Sequence, residues 1–100
     1  MPGFSTEVTH QLNKSEALGR LQGFLEEVRV RYKDLVTEYQ GDWAENILNF
    51  SLTTYGFTIN GTLTVSDDMV NIEGKLPFAA VAFRGKIEQS IAEELRRELS

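Results

Sequence analysis

The sequence predicts an α+β domain in which two helices pack on one face of an antiparallel sheet. Apolar and polar residues alternate in three successive runs between residues 46 and 72, which is the period of a half-buried strand. Two other segments repeat their apolar residues every three or four positions, as amphipathic helices do. The predicted element order is therefore β-α-β-β-β-α, in a single domain of residues 1–100.

The first strand is predicted over residues 4–10, at an edge of the sheet, and the first helix over residues 14–36. Asn13-Lys14-Ser15-Glu16 has the pattern of a capping box, in which Asn13 caps the helix and Glu16 reaches back to the backbone of Asn13. An apolar stripe then continues for about five turns at 3.6 residues per turn. The stripe consists of Leu18, Leu21, Leu25, Val28, Tyr32 and Leu35. Gly41-Asp42 is predicted to be a loop between this helix and the three remaining strands.

Three strands are predicted over residues 46–54, 57–65 and 69–73. Gly61, inside the second of these strands, indicates a bulge or a close approach by another element. Asp67-Asp68 favours a hairpin turn, because aspartate hydrogen-bonds its own backbone in turns.

The second helix is predicted over residues 77–98, with Pro77 in its first turn, where the missing N–H costs nothing. Its predicted inner face is formed by Ala80, Phe83, Ile87, Ile91 and Leu95.

The composition excludes several classes of function. Fifteen acidic against ten basic residues give a net charge of −5, which argues against a nucleic-acid partner. The chain has no cysteine and a single histidine, so disulfides, zinc-thiolate sites and histidine clusters are excluded. No serine lies in a Gly-x-Ser-x-Gly context, and His10 is expected to hydrogen-bond locally at the end of a strand. We therefore predict no catalytic residue, no metal site and no cofactor, and a protein that is not an enzyme.

The longest strongly apolar run, residues 76–83, is too short to span a bilayer. The N-terminal residues lack the basic and apolar regions of a signal peptide. The expected location is therefore the cytoplasm, without a membrane span.

Two surfaces carry small or apolar residues that packing against a sheet does not require. Gly19 and Gly23 lie opposite the apolar stripe, together with Val30, although each helical glycine costs up to about 1 kcal/mol relative to alanine. These residues could let a second copy or a partner approach closely, or they could be tolerated exposed glycines. In the second segment, residues 76–83, apolar side chains point in all directions.

Residues 76–83 present two alternatives, an exposed apolar patch for a partner or a segment covered by a long loop. The candidate residues of this surface are Phe78, Ala79, Ala82 and Phe83. A third candidate is a pocket between the helices and the sheet, near Tyr39, Trp43 and Tyr55, which would suit a small molecule.

Four groups of residues together form a recognisable pattern: His10, Leu12, Glu16 and Ala17, the run Gly41-Asp42-Trp43, residues 55–65, and the series Leu76, Phe83, Lys86, Ile87, Glu88, Ile91 and Leu95. In these residues, over residues 10–99, the chain resembles the polyhydroxyalkanoic acid system (granule-region) protein family. Members of this family are small bacterial proteins encoded near polyester storage genes. The resemblance implies a role around polyester granules and implies no catalytic residue.

Our leading hypothesis is a non-enzymatic accessory or interaction protein of polyhydroxyalkanoate systems, homodimeric and acidic, and associated with granules as the resemblance implies. It would contact a protein partner or the polyester surface through its helices. The alternatives are a small-molecule binding module with a helix–sheet pocket, and an RNA- or ribosome-binding domain. The element order resembles that of ribosome hibernation factors and double-stranded-RNA-binding domains. However, the first helix alternates Arg29, Arg31 and Lys33 with acidic residues, which is typical of a solvated face.

Overall fold

The computed structural model describes residues 3–54 and 56–100, without the side chain of Leu25. Within these residues the chain forms a five-stranded antiparallel sheet and two α-helices. The elements are β1 (Gly3–Thr9), α1 (Lys14–Arg31), β2 (Val36–Ala44), β3 (Ile47–Thr54), β4 (Phe57–Val65), β5 (Met69–Lys75) and α2 (Arg84–Leu99). A 3-10 helix, Phe78–Phe83, connects β5 to α2. The predicted α+β class is confirmed, and every predicted element occurs in the predicted order.

One strand, β2, was not predicted. The helix predicted over residues 14–36 ends at Arg31, and the loop predicted at Gly41-Asp42 lies inside β2. The chain reverses where the amides of Leu35 and Val36 both donate to the carbonyl of Tyr32, at 2.9 and 2.8 Å. Pairing of β2 with β3 therefore determines the structure after Arg31, although the apolar residues up to Leu35 keep a helical spacing. Tertiary contacts can override local propensity in this way.

Three further features of the structure agree with the sequence. The strand order is β1-β5-β4-β3-β2, so β1 lies at an edge, as predicted. The Asn13 side chain caps α1 by accepting from the amide of Glu16 at 2.8 Å. The hairpin turn predicted at Asp67-Asp68 joins β4 to β5 and is closed by the Ser66 amide, which donates to the Met69 carbonyl at 2.8 Å.

One cross-strand row of the sheet contains three glycines. Its members pair in the order Phe4, Gly74, Gly61, Phe50 and Gly41. The ring of Phe4 lies beside Gly74, and the ring of Phe50 lies beside Gly61, where a side chain would otherwise stand. The aromatic rings therefore fill the space above the glycines, which is how glycine is stabilised inside a sheet.

Both helices pack on the same face of the sheet, as predicted. The core contains Phe4, Val8, Ala17, Leu21, Phe24, Leu48, Leu63, Val65, Val70, Ile72, Leu76, Ala80, Ala92, Leu95 and Leu99. Helix α2 lies along β1, and α1 contacts β4. On the inner face of β2 and β3, Tyr39, Trp43, Phe50 and Leu52 are only half-buried, whereas Leu48 belongs to the core. The helices therefore cover one half of the inner face more completely than the other.

Candidate interaction surfaces

The clearest apolar surface is the 3-10 helix Phe78–Phe83. Phe78 is 80% exposed and Phe83 is 59% exposed, whereas Ala80 is buried and fixes the segment to the core. Ala79 and Ala82 are also exposed. Of the two alternatives for residues 76–83, the structure has the exposed patch. We call Phe78, Ala79, Ala82 and Phe83 the phenylalanine patch.

The local backbone explains why this patch is exposed. Pro77 precedes the segment with an extended ψ of 152°, and the amide of Ala80 donates to the carbonyl of Pro77 at 2.9 Å. The single helix predicted over residues 77–98 is therefore divided into a 3-10 turn and α2. Phe83 was predicted to lie on the inner face by a period of 3.6, and this placement is wrong. A 3-10 helix has three residues per turn, so positions in it do not follow an α-helical stripe.

The outer face of α1 is the second predicted surface. Gly19 and Gly23 are exposed, and a Cβ atom at either position would meet no atom of the described residues within 4 Å. Val30 lies on the same side of the helix and is 64% exposed. Ion pairs within the helix flank this face, including Arg29–Glu26 at 3.3 Å. The structure thus brings the three predicted residues together on a solvent-exposed face, and no neighbour in the described part of the chain requires glycine there.

The predicted pocket is assembled only in part. Tyr39 lines a cleft of about 340 Å³ with Val30 and Lys33 on one side and Val36 on the other, at the C-terminal end of α1. Trp43 is also half-buried on β2 but does not line this cleft, and Tyr55 lies outside the described residues. The cleft opens to solvent, so its polar groups do not converge on an enclosed site.

The environment of Tyr39 predicts a pH effect on stability. Burial, followed by the negative charge of Glu26, raises the pKa of the Tyr39 hydroxyl above its usual value near 10, and the positive charge of Arg29 opposes this change. Between about pH 10 and the raised pKa, the folded chain therefore retains a proton that the unfolded chain has lost. The contribution of Tyr39 to the free energy of unfolding is thus fully present below about pH 10, and it is lost as the pH rises through the raised pKa.

We expect Tyr39→Phe to weaken the loss of stability above about pH 10. The measurement is urea unfolding at several alkaline pH values, with Tyr32→Phe as the control. An unchanged alkaline slope in the Tyr39→Phe variant would contradict the assignment.

His10 is buried and serves the fold through both ring nitrogens. The Leu12 amide donates to Nδ1 at 3.2 Å, so Nδ1 carries a lone pair and the proton lies on Nε2. Nε2 then donates to the Ser66 carbonyl at 3.0 Å, and the His10 amide donates to the Asp68 carbonyl at 2.9 Å. His10 therefore connects the end of β1 to the β4–β5 turn. The contact with Leu12 is local, as predicted, whereas the contact with Ser66 is long-range and was not predicted.

The free edge of β2 is a surface that sequence reasoning missed. The Val65 amide donates to the Asn46 carbonyl at 2.9 Å, which identifies a hydrogen-bonded pair between β3 and β4. Such pairs alternate in antiparallel sheets. The register then places the backbone groups of Tyr39, Gly41 and Trp43 on the outer edge of β2. The period-two alternation of Tyr39-Gln40-Gly41-Asp42-Trp43 is the signal that could have predicted this strand.

The described residues contain neither a candidate metal site nor a candidate membrane-spanning helix. Between residues 3 and 54 and between 56 and 100, no three histidine or acidic side chains are grouped so that they could hold a metal ion. Over the same part of the chain, no helix has the length and apolar character needed to cross a bilayer.

Comparison with known proteins identifies one family. None of the curated proteins or solved structures compared with the chain matches it. The profile of the family described as "Putative polyhydroxyalkanoic acid system protein" matches residues 5–99, which includes every strand and helix in whole or in part. This match confirms the resemblance drawn from the sequence. The chain belongs to the polyhydroxyalkanoic acid system protein family.

Proposed function

We propose that this chain is a non-enzymatic accessory protein that adsorbs to the surface of polyester granules through the phenylalanine patch. The observation that carries the proposal is the exposure of Phe78 and Phe83, at 80% and 59%, on a segment that the buried Ala80 holds in place. Family membership supports the polyester surface as the partner. In this proposal the protein is cytoplasmic and homodimeric, and each subunit presents one patch.

The chemistry of the patch suits an interface between an apolar solid and water. Arg84 and Lys86 are exposed directly after the patch and would remain hydrated while the two rings are buried. Burying a phenylalanine side chain completely contributes about 1.5–3 kcal/mol, so two partly exposed rings contribute about 3 kcal/mol together. That free energy corresponds to roughly a hundredfold change in the partition constant.

The open cleft beside Tyr39 gives less support to the small-molecule alternative, because a typical ligand site encloses most of its ligand.

The test is partition of the purified protein onto poly(3-hydroxybutyrate) particles. We expect Phe78→Ser combined with Phe83→Ser to weaken adsorption by about a hundredfold, because serine removes the apolar area that would be buried. Ile47→Ser is the matched control, since Ile47 is an exposed apolar residue, at 37%, on the opposite face of the sheet.

Val30→Ser distinguishes the phenylalanine patch from the outer face of α1. Wild-type adsorption by the folded double variant, or loss of adsorption in Val30→Ser alone, would refute the proposal. Thermal unfolding shows which variants are folded.

A further inference from the structure

The two edges of the sheet differ in whether they can accept another strand. At the β1 edge, the Ser5 amide donates to the Glu88 carboxylate at 2.8 Å, and α2 lies along the strand. At the β2 edge, no described element covers the backbone groups of Tyr39, Gly41 and Trp43. An uncovered edge is a template for a further strand, and natural sheets usually cover or distort such edges. The only register shift in β2 lies between Val36 and Glu38, so the rest of the strand remains regular.

We propose that β2 pairs with β2 of a second copy, antiparallel and centred on Gly41. The two sheets would then join into one continuous sheet across a two-fold axis. Gly41 would oppose Gly41 of the second copy, and Tyr39 would oppose Trp43 of the second copy. This interface would form the homodimer of the proposed function, and the inference rests on the proposed function only for the existence of that dimer. Adsorption to the granule uses different residues.

The charge pattern of β2 favours this register over the two adjacent ones. Only residues whose backbone groups face the edge can form the hydrogen-bonded pairs between the two copies. In a two-fold arrangement the axis must therefore pass beside a residue of β2, and the neighbouring registers are centred on Gln40 and Asp42. With the centre at Gly41, Gln40 opposes Asp42 of the second copy, an amide beside a carboxylate. A centre at Gln40 would oppose Glu38 to Asp42, and a centre at Asp42 would oppose two Asp42 carboxylates. Like charges in directly opposite positions destabilise a strand pair, so the centre at Gly41 is favoured.

The inner face of β2 also matches itself in this register. Tyr39 and Trp43 share the inner face with Leu52 and Leu48, their partners on β3, and both aromatic residues are only half-buried. In the dimer each ring would stand beside the other type of ring from the second copy. Cross-strand aromatic pairs stabilise antiparallel strands. The pairing would therefore cover apolar surface that the two helices leave partly exposed.

The test is the dimer dissociation constant, measured by sedimentation equilibrium of the full chain. We expect Gln40→Glu to raise this constant by about tenfold, because two like-charge contacts arise across the axis. Combining Gln40→Glu with Asp42→Lys should restore dimerisation, since each new glutamate would then oppose a lysine. Thr58→Glu is the control, because it adds the same charge to the same outer face in β4, away from the edge.

Three results would overturn the interface: a monomer at all concentrations, a dimer that Gln40→Glu leaves unchanged, or a double variant that fails to restore the dimer. Adsorption of the same variants to polyester particles separates this inference from the proposed function. A dimer that does not adsorb refutes only the granule role, and a monomer that adsorbs refutes the interface and the homodimer but leaves the granule role standing.

Discussion

Replacing Gly74 with alanine is expected to destabilise the protein by about 3 kcal/mol, the upper range for forcing atoms into a filled core. A Cβ atom at Gly74 would collide with the Asn60 carbonyl oxygen and would lie 2.7 Å from Cε1 of Phe4 and 3.0 Å from Cα of Gly61. Two of these three neighbours are backbone atoms in a paired strand, so they cannot move without disturbing β4. The measurement is the free energy of unfolding in urea.

Gly23→Ala is the matched control for this substitution. A Cβ atom at Gly23 would meet none of the described atoms within 4 Å, and the residue lies inside α1. Alanine should therefore stabilise the protein by up to about 1 kcal/mol, through helix propensity alone. Opposite signs for the same chemical change would identify sheet packing as the cause. Equal effects of Gly74→Ala and Gly23→Ala would contradict this account.

His10→Ala is expected to cost about 1–3 kcal/mol, the range for lost hydrogen bonds that leave a buried partner unsatisfied. The substitution removes the acceptor for the Leu12 amide and the donor to the Ser66 carbonyl, and that contact joins residues far apart in the sequence. The free energy of unfolding, measured near neutral pH, tests the prediction.

A series of variants separates the two hydrogen bonds of the His10 ring. His10→Asn places an amide oxygen where it can accept from Leu12, but its side chain is too short to reproduce the contact to Ser66. We expect it to recover about half of the loss. Asp68→Ala should change stability by less than about 0.5 kcal/mol, because its side chain is exposed and only its carbonyl accepts from His10. A full loss in Asp68→Ala would show that the turn, and not the ring, is responsible.

The sheet was predictable from sequence wherever alternation was the strongest signal. The runs that became β3, β4 and β5 have one buried face, so their period of two reports burial directly. Strand β2 lies at the edge and buries none of its residues completely, so its alternation was weaker than the competing helical spacing of Tyr32 and Leu35. Gly41-Asp42 also has turn chemistry, and the reason for a glycine in the strand is the Tyr39 ring and the Leu48 side chain, which occupy the space beside Gly41.

The candidate surfaces were predictable to a similar extent. An excess of apolar or small residues on a helix is visible in the sequence, so the pattern of residues alone indicates Phe78, Gly19 and Gly23. The position of Phe83 was predicted wrongly because the 3-10 helix depends on the extended backbone of Pro77, which follows β5. The spacing of apolar residues carries no information about that backbone conformation. The open edge of β2 follows from the order of strands in the sheet, and that order arises from long-range pairing.

The pairing of β1 with β5 has a consequence for how the chain folds during its synthesis. Strands β2 to β5 follow one another through short connections, so each hairpin can form soon after it leaves the ribosome. Strand β1 is made first, but its partner comes from the far side of the meander, as in the pair Phe4 and Gly74. Closing so long a loop is slow, so β1 docks late. Until then β5 is an unpaired edge in the nascent protein, and this is the interval in which the chain is most exposed to aggregation.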